Sequence, residues 1–128
     1  MPRLASALAI AAALPVASPA FAQDEAMSAG EREYAVACAV CHGESGMGAG
    51  PMTQYLNIDM PGLTGLGAAN DGVIPYLQVF MVIDGRTGVR GHGGPMPVWG
   101  DRYSVSARED FGVHGAEVIT RGRVAVLT

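Results

Sequence analysis

The chain opens on an uncharged apolar stretch, Leu4 to Ala17, and turns polar at Gln23-Asp24-Glu25. Gln23 to Met27 reads as a frayed lead-in. Beyond it, Tyr34, Ala37, Cys38 and Cys41 recur at helical spacing and predict a helix from Ala29 to about Cys41. Ser28 and Glu31 have the Ser-x-x-Glu spacing of a capping box at its start. A second stripe, Ile74, Leu77, Phe80 and Met81, predicts a helix over 73–83. Asn70 or Asp71 would cap it, Pro75 is tolerable in its first turn, and Asp84-Gly85 is its stop. A last helix runs from Ala116 to the end, with Val118, Ile119 and Val126 as its inner face. Residues 43–51, 61–67 and 85–100 read as loops, with one short helical turn at Met52–Leu56. No run alternates with period two. The pattern predicts an all-α protein of three main helices separated by long loops. Loops of that length in a compact domain imply function.

Composition changes this picture at two points. Met1-Pro2-Arg3, the apolar stretch and the Ala20-Phe21-Ala22 site have the three-part layout of a secretory signal peptide. The stretch is shorter than the roughly 20 residues of a membrane-spanning helix. The expected organisation is a signal peptide at 1–22, removed on export to the periplasm, and one domain at 23–128. Glycine is the second point. All 18 glycines lie beyond residue 22, so regular structure is weakened and the core is short of material. Beyond residue 22 the chain carries 7 Arg, no Lys and 12 Asp plus Glu, a formal charge of 7 − 12 = −5. No basic face for nucleic acid is available. Two cysteines are too few for a disulfide framework.

Both cysteines fall in Cys38-Ala39-Val40-Cys41-His42, the attachment sequence of c-type haem. Two thiols three positions apart can each bond one vinyl carbon, and the next residue offers an imidazole nitrogen to iron. A thioredoxin-like dithiol would need a βαβ setting. A zinc site would need four ligands, and His92 and His114 lack the spacing. A Cys38–Cys41 disulfide would close a very small loop and stabilise little. An export signal beside the motif favours haem, which is attached after export.

The stretches CAVCHGESGMGAGP at 38–51, VIDGR at 82–86 and GHGGPMPVWGDRY at 91–103 resemble the class I c-type cytochromes. That resemblance implies a cytochrome c-like fold wrapped around one covalent haem, held by Cys38, Cys41 and His42. The sixth iron ligand has six candidates: Met47, Met52, Met60, Met81, Met96 and His92. Met96 lies between Pro95 and Pro97, which fix the backbone, and the resemblance assigns the Met of the Met-Pro pair to iron. His92 is the alternative. The resemblance further implies that the Pro51 carbonyl orients His42, and that Arg86 or Trp99 bonds a haem propionate. Tyr34 and Tyr76 are expected at helix interfaces and His114 at the surface.

A weak, soft thioether favours Fe(II) and raises the reduction potential, and a filled sixth site excludes peroxide. The expected function is therefore a periplasmic electron carrier, not a catalyst. Its redox partners would carry basic docking patches, and it would have no nucleic-acid partner and no membrane span after cleavage. Two alternatives keep the same haem: a subunit of an exported oxidoreductase, and a sensor or peroxidase with a displaceable ligand. The final helix ends at Val126-Leu127-Thr128 without a cap and reads as cut short.

Overall fold

The computed structural model describes residues 20–87 and 96–128, and every regular element among them is helical. The expected signal peptide lies outside these residues apart from Ala20–Ala22, as do His92 and Pro95. No helix among the described residues is long and apolar enough to cross a membrane.

Helix α1 spans Ala20–Ala37 and α2 spans Ala39–His42. They are almost one helix, because Cys38 N–H still donates to the Tyr34 carbonyl and His42 N–H to the Cys38 carbonyl, both at 2.9 Å. The helix starts well before the expected Ala29. Residues 20–27 are rich in Ala, Gln, Glu and Met, strong helix formers, so they extend α1 instead of fraying. Ser28 therefore lies inside α1 and not at its cap. Its hydroxyl accepts a hydrogen bond from Arg32 Nη1 at 2.6 Å.

Gly43 ends α2 with φ 77°, as the sequence predicts. The following loop folds back on the helix it left. Gly48 N–H donates to the His42 carbonyl at 2.8 Å, and Gly50 N–H to the Cys41 carbonyl at 3.1 Å. Short 3-10 turns follow at Pro51–Tyr55 and Ala68–Asn70, the first where a helical turn was expected.

Helix α3 spans Tyr76–Asp84, a later start than the stripe implies. Asn70 does not cap it. Its side-chain amide donates to the Val73 carbonyl at 2.9 Å, and Asp71 adopts a left-handed φ of 54°. The pair closes a turn, and Pro75 takes the N-cap position. The stop at Gly85 matches expectation. The buried face does not: Ile83 is buried with Val79 and Phe80 beside it, while Leu77 and Met81 are 69% and 47% exposed. The segment is apolar nearly all round, so its period could not choose the face.

The largest departure is α4, Trp99–Ala125, which begins far upstream of Ala116. Gly112 interrupts it with φ 65° and ψ −178°, a conformation essentially restricted to glycine. Tyr103 and Arg123 lie on either side of that break. A straight helix would separate them by about 30 Å at 1.5 Å per residue. Instead the Arg123 guanidinium sits 3.8 Å from the Tyr103 ring centroid. The chain reverses at Gly112, and 99–111 and 113–125 form a helical hairpin. Its second half buries Ala116, Thr120 and Val124, whereas Val118, expected inward, is 72% exposed.

The core joins this hairpin to α3. Ile83, Tyr103 and Val124 are buried together, with Phe80, Met96, Trp99 and Leu127 packed against them. The hairpin also meets α1. A Cβ on Gly30 would overlap the Val126 carbonyl oxygen, so only glycine permits this crossing. Three residues on, Glu33 receives Arg123 Nε at 2.7 Å and Nη2 at 2.9 Å. This fork-on-carboxylate pair is partly exposed and contributes about 1 kcal/mol.

The crossing gives a paired stability test. Gly30→Ala forces the helices apart and should cost about 1–3 kcal/mol in urea unfolding. Gly122→Ala, where a Cβ meets nothing within 4 Å, should instead gain about 0.5–1 kcal/mol from helix propensity. Equal effects of the two substitutions would show that the crossing is not tight.

Candidate functional site

Cys38, Cys41 and His42 stand on a single turn. Neither cysteine is in a disulfide; Cys38 is buried and Cys41 half-buried. Burial is the first cause that pushes the Cys38 thiol up to about 11, with the Glu33 charge and Cys41 adding to it. Cys38 therefore stays a protonated thiol at neutral pH. Redox-active dithiols work the other way, with a thiolate stabilised by a lowered pKa.

His42 is buried, and its Nδ1 lies 3.1 Å from the Pro61 carbonyl oxygen. A carbonyl can only accept, so Nδ1 carries the proton. In the neutral ring Nε2 is then left with a free lone pair. That is the tautomer and orientation a ring needs to ligate a metal through Nε2. Pro51, expected in this role, does not fill it: its carbonyl accepts from Gln54 Nε2 at 3.0 Å. The 3-10 turn that starts at Pro51 draws that carbonyl into its own hydrogen bonding. The chain reaches His42 only ten residues later, after the Gly-rich loop has packed on the segment at 60–63. Leu63 N–H donates to the Gly46 carbonyl at 2.7 Å and marks that packing. Tyr34 fixes the other side of the loop, its hydroxyl donating to the Gly43 carbonyl at 2.6 Å.

Met96 and Trp99 form a second group. Both are half-buried and pack on the Ile83–Tyr103–Val124 cluster, and the Trp99 and Tyr103 rings lie 5.6 Å apart. The Arg102 guanidinium covers the outer face of Trp99 at 5.5 Å. Tyr103 links the two groups through Arg123, whose guanidinium lies on its ring and pairs with Glu33 on α1. Its phenol is pushed up to about 12, first by burial and then by the charge of Glu33, with Cys38 adding a smaller push. Its hydroxyl and that of Thr120 are buried without a hydrogen-bond partner among the described residues.

Arg86 is not placed as a free donor for a propionate. Its Nε and Nη2 donate to Asp84 at 2.8 and 2.7 Å, and its Nη1 to Glu117 at 2.6 Å. The guanidinium thus spans two carboxylates, one at the end of α3 and one in the second half of the hairpin. Hydrogen bonds from Arg86 hold the Asp84 carboxyl below its ordinary value, against the opposing effect of burial. Arg86 and Arg121 do the same to Glu117.

Among the other candidates, Met47 is 69% exposed on the Gly-rich loop, Met52 is exposed, and Met60 is half-buried beside Pro61. Tyr76 is exposed against Phe80, and His114 is exposed as expected. Residues that the sequence did not mark as site candidates are Pro61, Glu33, Asp84, Glu117 and Tyr103. Only Pro61 carried a readable signal, as a second proline following a glycine-rich segment.

Comparison with protein-family models, with curated proteins and with solved structures found no match to this chain.

The Asp84–Arg86 pair sets an acid limit on stability. The folded carboxyl has a pKa below its unfolded value of about 3.9. Its contribution is thus complete above that value and is lost as pH falls through the depressed folded pKa. Asp84→Asn should lower the melting temperature at pH 7. The gap to wild type should narrow as pH falls below the unfolded carboxyl value of about 3.9 and through the depressed folded one, where Asp84 becomes neutral. A gap constant with pH would remove charge from the account.

Proposed function

We propose that this protein is a monohaem c-type cytochrome of class I type that carries single electrons between redox partners after export. The observation that carries this reading is the state of the Cys38–His42 turn. Two unbridged thiols one turn apart stand beside an imidazole whose Nδ1 proton is held by the Pro61 carbonyl. The donor set fits haem c in three respects. Each thiol can add across one vinyl group with no leaving group, and the spacing places both on one side of the helix. The His42 ring is locked with Nε2 free for iron. A raised Cys38 pKa argues against the dithiol alternative.

When bound, haem supplies a one-electron Fe(III)/Fe(II) couple. The chain's own residues do the rest. Cys38 and Cys41 tether the group, and Pro61 and Tyr34 immobilise the loop that orients His42. Met96 is the residue for the opposite face, seated on the α3–hairpin cluster. A thioether there favours the reduced state and keeps other ligands off. The crossing of α1 with the end of the hairpin adds support. It brings the helix with the attachment turn against the end of the last helical segment, so the turn is braced from outside its own loop. Acidic net charge suits partners with basic docking surfaces.

A haem-stained denaturing gel of the exported protein should show covalent haem, lost in Cys38→Ala/Cys41→Ala. In the stained protein, Met96→Ala should abolish the long-wavelength sulfur-to-ferric-iron band and open the iron to imidazole. Met60→Ala should leave the band in place. An unstained wild-type band removes the haem reading, and a band that survives Met96→Ala removes Met96 from the iron.

A further inference from the structure

The segment that contains Met96 leaves α3 at Gly85 and returns at the start of α4, and its two ends meet. A Cβ on Gly85 would lie 3.3–3.5 Å from Val98. One on Gly100 would come within 2.5 Å of Arg86 Nε and 2.7 Å of the Asp84 carbonyl oxygen. Arg86 fills the join. Besides its side-chain bonds to Asp84, its backbone N–H donates to Asp84 Oδ1 at 3.1 Å. Its outer nitrogens reach Glu117 Oε2 at 2.6 Å and Oε1 at 3.3 Å. Arg121 Nε holds Glu117 from behind at 2.6 Å. The guanidinium is only 21% exposed and the Asp84 side chain 7%. One planar cation therefore ties the exit of the segment to the second half of the hairpin, and Gly100 at the return packs directly on it. Met96 stands four residues before that return, half-buried on the same cluster.

We infer that the Asp84–Arg86–Glu117 clamp positions Met96, closing the base of its segment so that the thioether is held at the sixth iron site. This rests on the haem reading above. Arg86 is then a positioning residue and touches neither iron nor porphyrin. Lysine cannot replace it, since a single ammonium lacks the planar fork that serves two carboxylates at once. Opening the clamp increases the fraction of molecules with Met96 off the iron. An exogenous ligand competes for that fraction, so its apparent affinity rises in proportion.

The test uses the full haem-loaded chain and imidazole as probe. Arg86→Gln and Glu117→Gln should each tighten imidazole binding to the ferric protein by roughly tenfold or more. They should also weaken the sulfur-to-iron band while leaving covalent haem stain unchanged. Arg86→Lys should fall between wild type and Arg86→Gln. Arg32→Gln is the control, because it removes a guanidinium on α1 whose hydrogen bond goes to Ser28, away from the segment and its cluster. It should change imidazole affinity by less than about twofold, the spread expected where the ligand-competent fraction is unaltered. Equal shifts in Arg86→Gln and Arg32→Gln, or no shift in either, overturn the clamp and leave the haem reading intact. A wild-type protein without covalent haem overturns both.

Discussion

Gly30 and Val126 come so close that no side chain fits between α1 and the end of the hairpin. Much of the molecule follows from that approach. It sets Glu33 against Arg123, which in turn lays its guanidinium on the Tyr103 ring. Tyr103 belongs to the α3–hairpin core, so the attachment helix and the Met96 cluster are joined through two side chains and one glycine. Without the crossing, the Cys38–His42 turn would have only its glycine-rich loop and the segment around Pro61 for support.

The protein compensates for a small core by directing polar groups at each other and at the backbone. Among the described residues the largest fully buried side chains are Val124 and Thr120, and Ile74, Leu77 and Met81 remain outside. Order at the site comes instead from Tyr34 on Gly43, Pro61 on His42, and Arg86 between its two carboxylates. Each bond is directional. Each links segments that packing alone would leave free to slide. On the haem reading proposed above, this suits a site that holds one ring and one thioether in place.

Local signals in the sequence were reliable where the chemistry is local. Gly43 and Gly85 end their helices because left-handed backbone stops a helix wherever it occurs. The Cys38–His42 turn was legible because its signal is its own short spacing. Misreadings occurred where a distant partner decides. Helix 99–111 contains Ser and charged residues with little apolar stripe, and it forms because the hairpin gives it something to pack on. Arg86 looked available for an anion because Glu117 is 31 positions away. The choice between Pro51 and Pro61 depended on how far the loop travels before returning, which spacing does not encode. In α3 the apolar residues surround the axis, and only the neighbouring hairpin selects Ile83 over Leu77.

The reversal at Gly112 has a further consequence for what the molecule tolerates. The tip stands in open space, with nothing within 4 Å of where a Cβ would be. Trp99 and Val124, which pack in or on the core, are at the far end from it. Length at the tip is therefore uncoupled from register at the base. Residues inserted there lengthen a solvent-exposed turn and leave the facing rows of side chains in step, so the tip is a natural place to graft a dye, a tether or an added loop.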